Sequence, residues 1–587
     1  MNFSGIFNRL QRVIGVLLTA VLCCTAGAHV AAHAADPAAA HGAAHVAAQA
    51  ATHVADSVRA AIASAHPLAT AAGENVLARG GNAFDAAVAV AAALAVVEPY
   101  SSGLGGGGFF LLHRATDGHQ VMIDARETAP AGILPQHLFD AAGNPLPGAT
   151  TRGGTAAAIP GLPAGLEHLA QRYGTLPLGV TLAPAIQLAR EGFKTDRRYA
   201  RITQLREAML RSAPETALFL DNGRAPAPGH VLRQPDLAMT LQRIAREGAA
   251  GFYRGPVAEG MTAAINAAGG VWQMSDLAAY RVVERAPVRF SYRGAMITTA
   301  ALPSAGGIAI AQVLGMLEHF PAGDVQDPEY AHLVVEAMRR AFRDRIQLGD
   351  PDQTAISVPG LLKKEKLKQQ VADMRRDRAT PLPPPAATGA GAGSVNTTHF
   401  SVVDAAGNRV AATLTINLLF GSGVVGRGTG VLLNNEMDDF SLRADVANSF
   451  QLHGGAANSV APGKRPLSSM TPTFVEDTKG VLILGAPGGS RIISQVLLVA
   501  LEYLRKPQLD LKQLVAMPRY HHQYWPDQIE IEPEGFSAAW RSILEGKGHQ
   551  IRMANRKWGN LQAVFQPRDG GAAQAANDPR GDDVAGY

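Results

Sequence analysis

Cysteine is almost absent from this chain of 587 residues, which has only Cys23 and Cys24. Both lie near the N-terminus, where Arg9 and Arg12 precede the apolar run VIGVLLTAVLCC and the small residues of AGA and AHA follow. This layout predicts a signal peptide over residues 1–34. The mature chain would then contain no cysteine, which excludes a fold held together by disulfides and leaves its stability to an apolar core.

The sequence also lacks an excess of charge and a long apolar run. Its formal net charge is +4, and loss of a leader with two arginines and no acidic residue lowers this to +2, which excludes a nucleic-acid-binding protein. The apolar run of the leader is shorter than the roughly 20 residues that cross a bilayer. We therefore expect an exported protein, periplasmic or secreted. A lipid anchor at Cys23 or Cys24 is an alternative that the bulky residues before them disfavour.

Residues 35–57 form an Ala- and His-rich stretch of low complexity. Pairs of histidines stand four residues apart in it and just before it: His29 with His33, and His41 with His45. On a helix each pair would share a face and could bind a metal ion. A proline and a glycine interrupt such a helix, which favours a poorly ordered N-terminus. Nothing else in the sequence requires a metal or a cofactor.

A single Pro- and Gly-rich segment divides the rest of the sequence. Residues 378–396 contain the run PLPPPAATGAGAG, which is too poor in bulky side chains to bury itself and predicts a mobile linker. No comparable second linker is visible, although length alone would suggest three or four domains. We therefore expect one large composite domain made of residues 58–396 and 397–587.

A β-hairpin is predicted directly after this linker. From Thr397 polar and apolar side chains alternate, DAAGN at 404–408 supplies the turn, and the return strand places Thr415 and Asn417 on one polar face. The pattern alone fits an ordinary half-exposed hairpin. If the bond between Asn396 and Thr397 is cut, however, Thr397 gains an amine with an unperturbed pKa of about 7.7–8, which can activate its own hydroxyl.

At this point the sequence resembles a known family. The motifs NTTHFSVVD, TINLLFGSG, LLNNEMDDFS, KRPLSSMTPT and GAPGGSRII are similar to the small-subunit half of gamma-glutamyltransferases, also called glutathione hydrolases. The motifs GGNAFDAAVAVAAALAVVEP, SGLGGGGFFLL and IDARETAP match the upstream half. The resemblance therefore extends from about residue 58 to the last residue.

The resemblance implies a fold and an activity. The fold is the α+β fold of N-terminal nucleophile hydrolases, with four layers in the order helix, sheet, sheet, helix (αββα). The chain is expected to cut itself between Asn396 and Thr397 into a large and a small subunit that stay together as a heterodimer. The implied activity moves the gamma-glutamyl group of glutathione and other gamma-glutamyl compounds to water, amino acids or dipeptides, through an ester on Thr397.

The same resemblance assigns roles to ten residues. The nucleophile, the residue that orients its hydroxyl and the two amides of an oxyanion hole are Thr397, Thr415, Gly488 and Gly489. The residues that hold the α-carboxylate of the glutamyl group are Arg126, Ser468 and Ser469. The residues that hold its α-amino group are Asn417, Glu436 and Asp439. These residue types agree with the roles, because a guanidinium suits a carboxylate and carboxylates suit an ammonium group.

Two glycine-rich segments suggest nucleotide binding, which the local pattern excludes. Gly103, Gly105 and Gly108 satisfy GxGxxG, but a helix capped by Asn82 precedes them and a strand follows, the reverse of a dinucleotide-binding unit. Close packing of the backbone is the better interpretation. GAPGGSRII lies between a strand and a helix but lacks the lysine of a phosphate loop, which favours an oxyanion hole at the helix start.

One departure from the family pattern is expected in the loop 442–458, which resembles a lid over the glutamyl pocket. Phe450 stands where many relatives have a tyrosine, so apolar closure is kept while a hydroxyl is lost.

Two alternative functions remain. Related acylases take glutaryl β-lactam substrates without an α-amine, an interpretation against which Asn417, Glu436 and Asp439 argue. The other is an exported binding protein that is neither cleaved nor active.

Overall fold

The computed structural model describes residues 60–383, 396–508 and 510–581. The predicted signal peptide, the stretch 35–57 with the neighbouring histidine pairs, and most of the linker 378–396 lie outside the described residues. The strands of the described part are β1 Ala61–Ser64, β2 Gly107–Arg114, β3 His119–Ala125, β4 Phe193–Lys194, β5 Val231–Leu232, β6 Val283–Arg285, β7 Val288–Tyr292, β8 Ala295–Thr299, β9 Thr398–Val403, β10 Arg409–Thr415, β11 Thr473–Glu476, β12 Gly480–Gly485, β13 Tyr520–His521, β14 Ile529–Ile531, β15 Ile551–Met553, β16 Gln562–Pro567 and β17 Gln574–Asn577.

Two six-stranded antiparallel sheets form the centre of the fold. The first has the order β1-β9-β10-β2-β3-β6 and the second β17-β16-β12-β11-β8-β7. Each sheet therefore combines strands from before and after the linker.

The predicted hairpin is confirmed as β9 and β10, and it lies inside the first sheet. Its turn closes where the Asp404 amide donates to the Asn408 carbonyl. β9 pairs with β1 and β10 with β2, so both hairpin strands have a neighbour on their outer side. Almost every residue of the two strands is buried on both faces. The half-exposed hairpin allowed by the pattern is thus wrong.

Helices cover the outer faces of the two sheets. The α-helices of the described part are α1 Pro67–Ala78, α2 Ala83–Val97, α3 Leu162–Arg172, α4 Leu178–Glu191, α5 Arg197–Leu210, α6 Pro235–Glu247, α7 Ala250–Tyr253, α8 Gly255–Ala267, α9 Met274–Ala279, α10 Gly306–Leu317, α11 Pro328–Arg345, α12 Val358–Leu361, α13 Lys364–Val371, α14 Arg491–Arg505, α15 Leu511–Ala516 and α16 Ala538–Gly546. As predicted, Asn82 caps α2, and its side chain accepts from the amides of Phe84 and Asp85.

The alternating side chains of β2 show how the layers meet. Phe110 and Leu112 pack with α2 and the other helices on the first sheet. Phe109 and Leu111 point the other way, into the core shared with the second sheet and with α10, α11 and α14. Successive strand residues point to opposite faces, so a sheet apolar on both must be covered on both. The expected four-layer αββα architecture of an α+β protein is confirmed.

The glycines between α2 and β2 allow a close backbone approach. A Cβ added at Gly105 would lie 2.1 Å from the Leu432 carbonyl oxygen, and one at Gly108 would lie 2.3 Å from that of Thr413. The close packing predicted for these two glycines is confirmed. Gly103 is different, because the nearest atom to its added Cβ would be 3.8 Å away. In the part of the chain that is described, no helix has the length and apolar character needed to cross a membrane.

Candidate active site

Nine of the ten predicted site residues line one small cavity at the end of the hairpin. Its lining residues are Arg126, Arg345, Thr397, Thr415, Asn417, Glu436, Asp439, Phe450, Leu452, Ser468, Ser469, Met470, Gly489 and Ile492. Gly488, the tenth predicted residue, precedes Gly489 but is not among them. The cavity thus collects residues from the first sheet, the loop before β11, the turn before α14 and the end of α11.

The Thr397 hydroxyl lies against the peptide bond that is predicted to break. It donates a hydrogen bond to the carbonyl oxygen of Asn396. The Asn396 side chain is itself held, since its Oδ1 accepts from the Ser101 hydroxyl at 3.0 Å and its amide donates to the Tyr100 carbonyl. Asn396 and Thr397 are both buried. The carbonyl and the hydroxyl are therefore fixed side by side before any cleavage.

Thr415 contributes a second hydroxyl to the same carbonyl. Its Oγ1 is 3.5 Å from the Asn396 oxygen and accepts a hydrogen bond from the Asn417 amide at 2.8 Å. The return strand ends at Thr415, so Asn417 lies just beyond it in a left-handed conformation with φ of 71°. The prediction that Asn417 continues the strand is wrong. Its side-chain amide donates to the Asn435 carbonyl at 2.9 Å.

A buried ion pair fixes the start of the nucleophile strand. Glu98, at the C-terminus of α2, accepts from the Thr398 hydroxyl at 2.8 Å and pairs with Arg198 of α5 at 3.0 Å. All three side chains are buried. The residue next to Thr397 is thereby tied to two helices.

Arg126, at the end of β3, is completely buried and surrounded by acidic side chains. Its guanidinium donates to Glu436 Oε1, to Asp439 Oδ2 at 2.5 Å and to Glu127 Oε2 at 3.5 Å. A further bond from Nε reaches the Pro466 carbonyl at 3.2 Å. The first two partners are the residues predicted to hold an ammonium group, so in this site the acids and the guanidinium hold one another.

The crowding of these acids alters their proton affinities. Burial raises the pKa of Glu436 well above its ordinary value and that of Glu127 to about 7, although Arg126 opposes both shifts. Burial also raises the pKa of Asp439, again against Arg126. Oε2 of Glu436 has no hydrogen-bond donor among the described residues. A cation bound beside these carboxyl groups would therefore favour their ionised forms.

The two serines also line the cavity. The Ser468 hydroxyl accepts from the Met470 amide at 3.1 Å, and the Ser469 hydroxyl accepts from Arg345 at 3.3 Å. Because each hydroxyl is used here as an acceptor, its proton remains available to donate to a ligand.

The turn between β12 and α14 reaches the cavity at Gly489. Gly488 and Gly489 have φ of 134° and 57°, a region that favours glycine. Within the described residues, neither amide donates a hydrogen bond. The Phe450 ring lies over this turn, since a Cβ added at Gly489 would be 2.7 Å from it. Loop 442–458, the predicted lid, is held by Gln523, whose side-chain amide donates to the Phe450 carbonyl at 3.0 Å.

Sequence reasoning missed Arg345 and Gln523. Arg345 ends α11 within AMRRAFRDR, where several arginines follow one another and nothing in the pattern shows which one faces a cavity. Gln523 accepts from the Ser490 hydroxyl at 2.5 Å and so joins the lid to the glycine turn. Its segment, YHHQYW, has no signal of that kind.

The chain is similar to known proteins over most of its length. Residues 69–587 match the gamma-glutamyltranspeptidase family. The chain is 39% identical to the glutathione hydrolase proenzyme of Pseudomonas sp. (strain A14), over 84% of this chain and 86% of that protein. It is also 39% identical to the glutathione hydrolase proenzyme of Escherichia coli (strain K12), over 90% of this chain and 91% of that protein. A solved cephalosporin acylase from Bacillus halodurans is 27% identical, with a TM-score of 0.77 over 89% of this chain and 94% of that one. Because the family match includes every segment that lines the cavity, the chain belongs to the gamma-glutamyltranspeptidase family.

Proposed function

We propose that this protein transfers gamma-glutamyl groups from glutathione and other gamma-glutamyl compounds to water, amino acids or dipeptides. The observation that carries the proposal is the cavity, which places Thr397 within one small space with Arg126, Glu436 and Asp439. A gamma-glutamyl group carries an α-carboxylate and an α-ammonium at the end opposite its reactive carbonyl. A site with cationic and anionic side chains beside a hydroxyl nucleophile matches all three features.

The first step in this proposal is self-cleavage. The Thr397 oxygen attacks the Asn396 carbonyl carbon, and the bond to nitrogen breaks as that nitrogen takes up a proton, leaving an ester. Water hydrolyses the ester into an Asn396 carboxylate and a free Thr397 hydroxyl. The Thr415 hydroxyl, 3.5 Å from the Asn396 oxygen, is placed to stabilise negative charge that develops there.

The second step uses the new amine. The free amino group of Thr397 takes the hydroxyl proton, and the oxygen attacks the gamma-carbonyl of the donor. The amides of Gly488 and Gly489 stabilise the oxyanion, a contribution for which loss of one donor typically costs about 10²–10³ in rate. The amine product leaves with a proton, and water or an acceptor amine then cleaves the gamma-glutamyl ester.

The charges of the cavity favour an α-amino acid group over a glutaryl group. Arg126 with Ser468 and Ser469 would hold the carboxylate, whereas Asn417, Glu436 and Asp439 would hold the ammonium. A glutaryl group has no ammonium group to lie beside the carboxyl groups around Arg126. The likeness to a cephalosporin acylase nevertheless makes glutaryl compounds the second candidate substrates.

Export completes the proposal. We place the mature enzyme in the periplasm or outside the cell, after removal of residues 1–34. Residues 58–396 and 397–587 would be its large and small subunits, paired as a heterodimer. The two sheets support such pairing, since each contains strands from both parts.

Two measurements test the function. Purified protein should run as two fragments on a denaturing gel, with a new N-terminus at Thr397, and should turn over gamma-glutamyl-p-nitroanilide faster than its glutaryl analogue. The Thr397→Ala variant should remain a single inactive chain. Activity in that variant, or a preference for the glutaryl analogue, would contradict the proposal.

A further inference from the structure

Arg345 is a buried cation in the cavity with few partners. Its side chain is 6% exposed and lines the cavity at the C-terminus of α11. Its hydrogen bond to a side chain goes to the neutral Ser469 hydroxyl, at 3.3 Å. Among the described residues Nε has no acceptor, and no carboxylate lies within ion-pair distance of the guanidinium.

This situation differs from that of the other guanidinium in the cavity. Arg126 is in contact with three carboxyl groups. Burial lowers the pKa of Arg345 to about 10, and Asp439 opposes that shift only in part. A buried charge is costly unless it is paired and hydrogen-bonded. Arg345 therefore gains more than Arg126 from an anion that enters the cavity.

The neighbours of Arg345 indicate which anion this would be. Ser469 lies beside it, and that serine belongs to the pair expected to hold the donor α-carboxylate. Arg126, the expected partner of that carboxylate, already donates to Glu436 and Asp439. A carboxylate bound to Arg126 alone would approach those two acids with little compensation. A second guanidinium on its other side would supply that compensation.

We propose that Arg345 is a specificity-determining residue that holds the α-carboxylate of the gamma-glutamyl donor together with Ser469. The inference rests on the proposed function and extends it by naming a second cation for the same group. Arg345 and Arg126 then hold the carboxylate from two sides, and the ammonium group meets Glu436, whose Oε2 has no donor in the described structure. Selection of α-amino acids over simple acyl groups would depend on both ends.

The test compares two donors and three variants. The donors are gamma-glutamyl-p-nitroanilide and the same compound with its α-carboxylate replaced by a carboxamide. The variants are Arg345→Gln, Arg345→Lys and the control Arg343→Gln, which lies on the same helix with its side chain 46% exposed. A denaturing gel and a thermal melt report maturation and folding for each.

We expect Arg345→Gln to raise KM for the carboxylate donor about 10- to 100-fold, the range of a hydrogen bond to a charged group. kcat should change little, because the α-carboxylate keeps its charge throughout the reaction. KM for the carboxamide donor should stay within about threefold, so the preference for the carboxylate is lost. Arg345→Lys should recover part of the affinity, since it keeps the charge without the planar fork. Arg343→Gln should match the wild type.

Three results would overturn the inference. One is an equal loss of kcat/KM for both donors in a folded and cleaved Arg345→Gln enzyme. Another is an unchanged KM for the carboxylate donor. The third is failure of both Arg345→Gln and Arg345→Lys to fold, which would show that Arg345 has a structural role. If only Arg345→Gln fails to mature, the two donors are compared with Arg345→Lys instead. Failure of the wild-type enzyme to turn over gamma-glutamyl donors would instead contradict the proposed function itself.

Discussion

Replacing Glu98 with Gln should destabilise the protein and slow its maturation. The carboxylate is fully buried between Arg198, at 3.0 Å, and the Thr398 hydroxyl, at 2.8 Å. Glutamine keeps the shape but removes the charge, which breaks the buried ion pair between Glu98 and Arg198. Removal of one partner from a buried pair costs about 3–5 kcal/mol.

The size of the thermal effect follows from the size of the fold. An unfolding entropy of about 2.1 cal/mol/K per residue over roughly 500 residues gives about 1 kcal/mol per degree. The midpoint of Glu98→Gln should therefore fall by about 3–5 °C. Because Glu98 also holds the residue after Thr397, conversion of precursor into two fragments should slow in the same variant, as followed on a denaturing gel with time.

A matched control separates this effect from the substitution itself. Glu191 pairs with Arg190 at 3.3 Å at the end of α4, where both side chains are more than half exposed. Water already solvates those charges, so Glu191→Gln should melt and mature like the wild type. The reasoning is refuted if Glu98→Gln melts within 1 °C of the wild type and is cleaved at the same rate.

Two further predictions concern the lid and acid stability. Phe450→Ala should lower kcat/KM for gamma-glutamyl-p-nitroanilide about tenfold, because water then reaches the glycine turn that the ring covers. Phe450→Tyr keeps the ring and should keep the activity. Equal kcat/KM values for the two variants would contradict a covering role. Burial lowers the pKa of His399, His521 and His549 to about 3. The unfolded chain binds protons at these imidazoles near pH 6.5 and the folded chain does not, so the histidines destabilise the fold as the pH is lowered from 6.5 to 4.5. The raised pKa values of Glu127 and Glu436 act in the opposite direction, so the comparison is with His521→Gln: the melting midpoint of the wild type should fall more steeply over this pH range, and equal slopes would disprove this.

Local features of the fold could be predicted from the sequence because their causes are local. The cap at Asn82 depends on one side chain and the next two amides, and the hairpin turn depends on the residues between its strands. The burial of both hairpin faces could not be predicted in this way. It results from β1 and β2, which lie about 300 residues away in the sequence.

In the candidate site, too, the residues could be predicted from local motifs but their long-range contacts could not. Family motifs brought Arg126, Glu436 and Asp439 into one prediction, but not their mutual contacts, because those contacts depend on the packing of separate loops. Arg345 was missed since arginine in a helix ordinarily faces water. Helix α11 departs from that expectation, because three of its arginines are buried, where they contact acidic side chains or line the cavity, and only one of the four is exposed. These four residues are Arg339, Arg340, Arg345 and Arg343.

The shared sheets have a consequence for what a cut at Asn396 would do. Strand β9, which starts at Thr398, pairs with β1 from the upstream half, and β10 pairs with β2 from the same half. Neither product of the cut would therefore contain a complete sheet. Scission would interrupt the polypeptide without interrupting the ladder of hydrogen bonds. The two products would then elute and melt as one molecule, and a gene divided at this codon would give folded protein only where both pieces are made together.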